Sequence, residues 1–193
     1  MATKIITAPT FEPLSVADVS EYLRLDDSPT DTLLISALIT AARQHLENYL
    51  NRFIAEQTVE LALTGWKDKI ELSAPLQSVT SIKYLDENGA EQTLASNQYI
   101  VDTYSEPAAI YPAYNVTFPN LYDQENNVKI RYVVGFTSGG SPDSNPLPDP
   151  LKFAMMLIIG DLYANREASG EKAYQVNPTV QNLLQFYRLN IGM

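Results

Sequence analysis

Apolar positions recur at helical spacing near both ends of the chain and alternate with polar ones in between. Leu34, Leu38, Ala42, Leu46 and Leu50 recur every four residues, with Tyr49 beside them. They mark one face of an amphipathic helix of roughly 20 residues. Its start is signalled by Ser28-Pro29-Thr30-Asp31, and its end falls near Asn51. Serine caps, proline suits the first helical position, and an early carboxylate complements the helix dipole. A shorter helix opens earlier, at Ser15-Val16-Ala17-Asp18, and should run to about Arg24. A carboxylate three residues after a serine N-cap is the pattern of a capping box.

The period then becomes two. Val59, Leu61 and Leu63 alternate with Thr58, Glu60 and Ala62, and Ile70 and Leu72 form a shorter pair. Ile82 and Tyr84 lead into Asp86-Glu87-Asn88-Gly89, whose Asn-Gly step signals a hairpin. Tyr99 with Val101, and Ala109-Ile110-Tyr111, suggest further strands. The clearest strand is Val128, Ile130, Tyr132, Val134 and Phe136, with Lys129 and Arg131 on its other face. Such alternation belongs to antiparallel sheet with one buried face.

Two stretches read as long loops: 112–126, and the Ser-, Gly- and Pro-rich run around 137–147, which is expected to be a mobile surface loop. Helix returns at Asp149-Pro150, read as an N-cap followed by proline at the first helical position. Leu151, Ala154, Met155, Ile158 and Leu162 give its stripe, and Gly170 can close the helical region. Asn177-Pro178 repeats the start signal before Val180, Leu183, Leu184 and Tyr187. The expected fold class is therefore α+β. A small helical core, two N-terminal and two C-terminal helices over about 15–51 and 149–188, carries an inserted antiparallel β region at about 57–136. The two long helices are natural partners, since neither buries its stripe alone. A length of 193 residues suits a single domain, 1–193, with an elaborated insertion.

Composition narrows the function. Apolar residues make up 45% of the chain, enough for a sizeable core. The absence of cysteine excludes a disulfide framework, a thiolate zinc site and a cysteine nucleophile. Thirteen basic against 23 acidic residues give a net charge of −10, which repels phosphate and anionic membranes at long range. No apolar run approaches the length of a membrane span, and the N-terminus lacks a signal-peptide core. A soluble protein made in the cytoplasm, without membrane partners, is expected.

Candidate chemistry is sparse. His45 is the single histidine, and neither Glu47 nor Asn48 is spaced to share a metal with it, so a structural or surface role is expected. Asp26, Asp27 and Asp31 form an acidic cluster, but Pro29 occupies the middle and no glycine turn is present, so capping explains them better than calcium. Ser138-Gly139-Gly140 follows a strand, yet prolines come next and no lysine precedes Lys152, unlike a phosphate cradle. No nucleophile elbow, zinc-protease or dinucleotide motif occurs. Tyr99, Tyr104, Tyr111, Tyr114 and Tyr122 crowd the strand region and fit either half-buried strand positions or contacts to protein or carbohydrate. Asp102 and Glu106 would serve a hydrolase only if they converged in a pocket with one pKa raised. No catalytic residue, cofactor or metal is expected.

One resemblance organises these features. Four ordered segments carry it: Glu12-Pro13-Leu14-Ser15 through Tyr22-Leu23-Arg24-Leu25; Asp31-Thr32-Leu33-Leu34 through Ala41-Ala42-Arg43 to Leu46-Glu47-Asn48-Tyr49; Pro75-Leu76-Gln77-Ser78-Val79-Thr80-Ser81-Ile82; and Pro148 to Leu151 with Leu162-Tyr163-Ala164-Asn165-Arg166-Glu167, then Leu183-Leu184 and Tyr187-Arg188. The chain resembles the head–tail connector (adaptor) proteins of tailed bacteriophages. That resemblance implies a non-enzymatic subunit of a ring of about a dozen copies, closed through a heterologous interface. It implies binding to the portal protein and to the next neck or tail protein, a place in the virion neck, and DNA passing through without sequence-specific contact. Candidate subunit or portal contacts are Tyr163, Arg166, Glu167, Tyr187 and Arg188. The alternatives are another neck or tail-completion protein, or a carbohydrate-binding module.

Overall fold

The computed structural model describes residues 2–25, 29–139, 145–165 and 178–189. The chain divides into two compact units. One, of residues 1–10 and 56–136, is built of strands; the other, of 11–55 and 137–193, is built of helices. The class is α+β, with antiparallel sheets.

In the helical unit, α1 (Val16–Leu23) begins with the expected capping box. The Ser15 hydroxyl accepts from the Asp18 amide at 3.1 Å, and the Asp18 carboxylate accepts from the Ser15 amide at 3.1 Å. Arg24 closes the helix in the left-handed region at φ 55°. Helix α2 (Pro29–Leu50) ends where Asn51 turns left-handed at φ 55°. Ser28 and the Asp26–Asp27 pair lie outside the described residues, as does the side chain of Asp31. The buried row of α2 is Ile35, Ile39, Ala42, Leu46 and Leu50, whereas Leu34 and Leu38 flank it half-buried. A strict four-residue row drifts about 40° per step around a helix of 3.6 residues per turn, so the core-facing line needs one three-residue step.

Helix α3 (Asp149–Ala164) buries Leu151, Ala154, Met155, Ile158 and Ile159 and packs against α2, as the stripes require. Its N-cap is Pro148, not Asp149. The Pro148 carbonyl accepts the first amides, from Leu151 at 3.0 Å and Lys152 at 3.2 Å, so Asp149 already lies in the first turn. Gly160 faces the Tyr22 ring of α1, where a Cβ would stand at an ordinary contact distance of 3.5 Å. Helix α4 (Pro178–Leu184) buries Val180 and Leu184 against α3. Each such aliphatic side chain contributes about 1.5–3 kcal/mol on burial. Gly170 and Asn177 lie outside the described residues.

The β unit holds two sheets. Strands β1 (Ala2–Thr7), β2 (Gln57–Leu63), β4 (Leu76–Leu85), β5 (Glu91–Thr93) and β8 (Val128–Val134) form the larger, in the order β1-β2-β8-β4-β5. Strands β3 (Ile70–Glu71), β6 (Tyr99–Asp102) and β7 (Ala109–Pro112) form the smaller, in the order β3-β7-β6. Burial alternates along β2 and β8, with Val59, Leu61, Leu63, Ile130, Tyr132 and Val134 inward. Ile70 and Ile110 are the buried row of the smaller sheet. Tyr132 joins the two: its hydroxyl meets the Ser73 amide at 3.2 Å and hydroxyl at 3.0 Å, just beyond β3. A fully buried phenol needs such a partner, and here the partner fixes the second sheet over the first.

Strand β1 was not among the expected elements. It pairs antiparallel with β2 as an edge strand, and its side chains from Thr3 to Thr7 are exposed, so no hydrophobic alternation announces it. The Asn-Gly hairpin is present between β4 and β5, with Gly89 at φ 79° and the Asp86 carboxylate accepting the Asn88 and Ala90 amides.

Candidate functional site

His45 is exposed on α2. No group of His, Asp and Glu suited to a metal occurs among the described residues. Asp102 accepts from the Tyr104 amide at 2.9 Å and the Ser105 amide at 3.3 Å. Bonds from Ser105 and Tyr104 hold its carboxyl below the ordinary range, opposite to what a general acid requires. Among the described residues Asp18, Asp86 and Glu91, the other carboxylates with a shifted pKa, also shift down. A recess lined by Lys83, Tyr84, Leu85, Glu91, Asn126, Asn127 and Lys129 has a volume of about 10 Å³, the space of one water rather than a substrate.

The chain builds surfaces held by internal ties instead. In the helical unit, Arg43 is buried within α2, between two carboxylates. It donates to Glu12 at 2.8 and 3.2 Å and to Glu47 at 3.0 Å, and Thr40 donates to Glu12 at 3.0 Å. Burial alone would lower the guanidinium pKa; the bonds to Glu12 and the nearby Glu47 charge outweigh it and raise the value. Glu47 also accepts from the Ile54 amide at 3.0 Å. The network pins the segment before α1 and the turn after α2 to one residue.

A second set of ties holds the C-terminal segment to the end of α2. The Leu189 amide donates to the Leu50 carbonyl at 3.0 Å, and Asn51 Nδ2 donates to the Leu189 carbonyl at 3.1 Å. Arg52 donates to the Tyr187 carbonyl, and the Arg188 guanidinium lies 5.3 Å from the centre of the Tyr49 ring. Of the candidate contact residues, Tyr187 and Arg188 thus sit together at this junction. Tyr163 is half-buried near the end of α3, while Arg166 and Glu167 lie outside the described residues. Leu33 and Phe186 are strongly exposed on the helical unit, with Phe153 and Tyr22 less so.

In the β unit, the loop over 113–127 is tied down without regular structure. Trp66 stacks on Phe118 at 4.4 Å between centroids, 24° from parallel, and donates to the Pro119 carbonyl at 2.8 Å. Buried Asn127 accepts from the Gly65 amide at 2.8 Å and donates to the Tyr122 carbonyl at 2.9 Å. The tyrosines divide: Tyr99 and Tyr111 are half-buried strand residues, while Tyr104, Tyr114 and Tyr122 are exposed. The central residues of the Gly/Pro-rich run, 140–144, lie outside the described residues.

Sequence reasoning passed over Glu12–Arg43, Trp66 and Asn127 as organising residues. Only Arg43 carried a signal: a cation next to Ala42 and one turn from Ile39 and Leu46 of the apolar row needs an anion once buried.

The sequence pattern of the head completion protein family matches residues 12–189. The chain belongs to that family, whose role is structural. No curated protein matches it. Among solved structures, a chain in the neck of the empty gene transfer agent particle, computed with C6 symmetry, is similar at TM-score 0.78 and 23% identity, covering 100% of this chain and 98% of that one. A chain in the virion of the native gene transfer agent particle gives 0.77 at 24% identity, with 100% and 98% covered. A chain in the neck of the native particle, computed with C12 symmetry, gives 0.74 at 24%, with the same coverage. These likenesses establish that the fold is shared along the whole chain.

Proposed function

We propose that this protein is a structural subunit of the head–tail connector ring of a tailed phage or phage-like particle, joining the portal to the neck or tail and surrounding the DNA passage. The observation that carries the reading is the family match over 12–189, which takes in both the helical and the β unit. Support for a ring comes from chains of the same fold in necks computed with C6 and C12 symmetry. The subunit acts as one connector domain in the virion neck, and its work is mechanical, with no catalysis. A net charge of −10 suits a passage that DNA must slide through without sticking.

The junction of Tyr187 and Arg188 with the end of α2, together with exposed Phe186 beside it, is the part of the helical unit we assign to partner contact. Arg166, Glu167 and Tyr163, at and beyond the end of α3, belong to the same assignment, with the portal as partner.

Negative-stain imaging of the purified protein over a concentration series tests this reading. Closed rings with a central hole of at least about 20 Å, wide enough for duplex DNA, are the expected outcome. Monomers at every concentration, with no retention by immobilised portal, would overturn it.

A further inference from the structure

The β unit carries opposite charge on its two outer faces. On the larger sheet, register places Lys4 beside Glu60 and Glu60 beside Arg131 in one row. In the next row Lys129 lies directly across from Lys83. Lys83, Lys129, Arg131 and Lys4 are all exposed and all on the face away from the core. Two carboxylates share that face: Glu60 pairs with Arg131 at 2.7 Å and Glu91 with Lys83 at 2.7 Å. Four cations against two anions is a basic surplus on a chain whose net charge is −10.

The outer face of the smaller sheet is the reverse. Glu71 and Asp102 flank Ala109 in one row of the register, with Lys69 alongside, paired to Glu71 at 2.8 Å. Asp68 stands in the turn before β3 between the exposed Lys67 and Lys69, so the segment 67–71 balances its two carboxylates with two lysines and Asp102 tips the face acidic. Ile100 and Tyr104, both exposed, lie on or beside β6. Inward rows of both sheets meet at Tyr132 and Ser73, so these two outer faces point away from one another.

One arrangement on the basic face is unfavourable in an isolated chain. Like charges directly opposite on paired strands destabilise a sheet. Lys83 and Lys129 stand so, at strand spacing, with Glu91 as the anion between their fields. The water-sized recess is lined by both lysines, by Glu91 and by Asn126 and Asn127. A further carboxylate there would relieve the repulsion.

Resting on the ring reading above, we propose that the basic outer face of the larger sheet docks on the acidic outer face of the smaller sheet of the next copy, with the Lys83–Lys129 pair receiving a carboxylate from the Asp68–Glu71 edge. A closed ring needs a heterologous contact, one patch meeting a different patch on its neighbour. Opposite faces of opposite charge supply that polarity, and they set direction and register more than raw affinity. Duplex DNA is the lesser fit: Glu60 and Glu91 stand within the basic rows and would oppose a line of phosphates.

Charge reversal on the full-length chain tests it. Lys83→Glu with Lys129→Glu makes both faces acidic, and Asp68→Lys with Glu71→Lys makes both basic. Each double variant should remain monomeric where the wild type forms rings, or need about tenfold higher concentration to assemble. Mixed in equal amounts, the two should assemble together, alternating. Unchanged circular dichroism and thermal unfolding establish that each variant is folded. Zero-length cross-linking of ¹⁴N- and ¹⁵N-labelled wild-type copies should join Lys83 or Lys129 of one copy to a carboxylate at 68–71 of another. Wild-type rings that survive both reversals overturn this interface and leave the ring reading standing. A wild type with neither rings nor inter-copy cross-links overturns both. Reversal of Lys83 and Lys129 that spares the ring but abolishes duplex retardation would give this face to DNA instead.

Discussion

Among single residues, Arg43 matters most to the helical unit. It is 6% exposed and holds Glu12 and Glu47 at once, from a position on α2 that otherwise faces apolar neighbours. Removing one member of a buried ion network strands the others, which costs more than the pair itself contributes. Arg43→Ala should therefore lower stability by about 3 kcal/mol, read from the urea midpoint by circular dichroism. Glu12→Gln keeps an acceptor for the guanidinium and should cost roughly a third as much. Equal small losses in both would show that the network is incidental. Nothing local marks Glu12, 31 residues earlier, as its partner, because a contact between distant positions leaves no local period.

At the level of elements, the capping box of α1 links stability to pH. Asp18 is held below its ordinary value of 3.8, first by its side-chain bond with Ser15 and then by the Ser15 amide. A depressed folded-state pKa adds stability that is complete above the unfolded value and is lost as pH falls through the folded one. Ser15→Ala should cost about 1 kcal/mol at neutral pH. That penalty should begin to shrink below about pH 3.8 and fade as pH drops through the lower value of folded Asp18, whose protonation ends its gain from the cap; a penalty constant down to pH 2 would contradict the assignment. The cap of α1 and the helical period were legible because they are local: Ser15 with Asp18 needed only spacing, while in the stripes of α2 and α3 the residues Leu34, Leu38 and Leu162 flank the buried rows, and the α3 cap falls one residue earlier, at Pro148. The alternation of β2 and β8 and the Asn-Gly turn also needed only spacing. Strand β1 was not legible, since Thr3 to Thr7 are exposed on both faces and carry no pattern. The stretch 112–126 reads only as a long loop, yet Trp66 and Asn127 fix it from positions outside it, through backbone carbonyls that no side-chain pattern encodes.

For the whole molecule, the question is how a chain of net charge −10 assembles with copies of itself. Composition alone predicts mutual repulsion, which salt would screen, so rings should strengthen as salt is added. The two outer faces of the β unit predict the opposite. Their attraction acts over a few ångströms between Lys83, Lys129 and the Asp68–Glu71 edge, while the remaining acidic charge is spread over the surface. That distribution was beyond sequence reading, because the strand order β1-β2-β8-β4-β5 brings Lys83 and Lys129 together from 46 positions apart (129 − 83). At 0.1 M salt the screening length is about 10 Å and at 1 M about 3 Å, so long-range repulsion is already damped at the lower value, and the short-range attraction is lost between them. Ring occupancy measured by sedimentation velocity should therefore fall between 0.1 and 1 M sodium chloride. The Arg43→Ala variant should show the same slope, because the bonds it removes are to Glu12 and Glu47 of its own helical unit. Occupancy that rises steadily with salt would mean that net charge governs assembly and that the opposed faces do not meet.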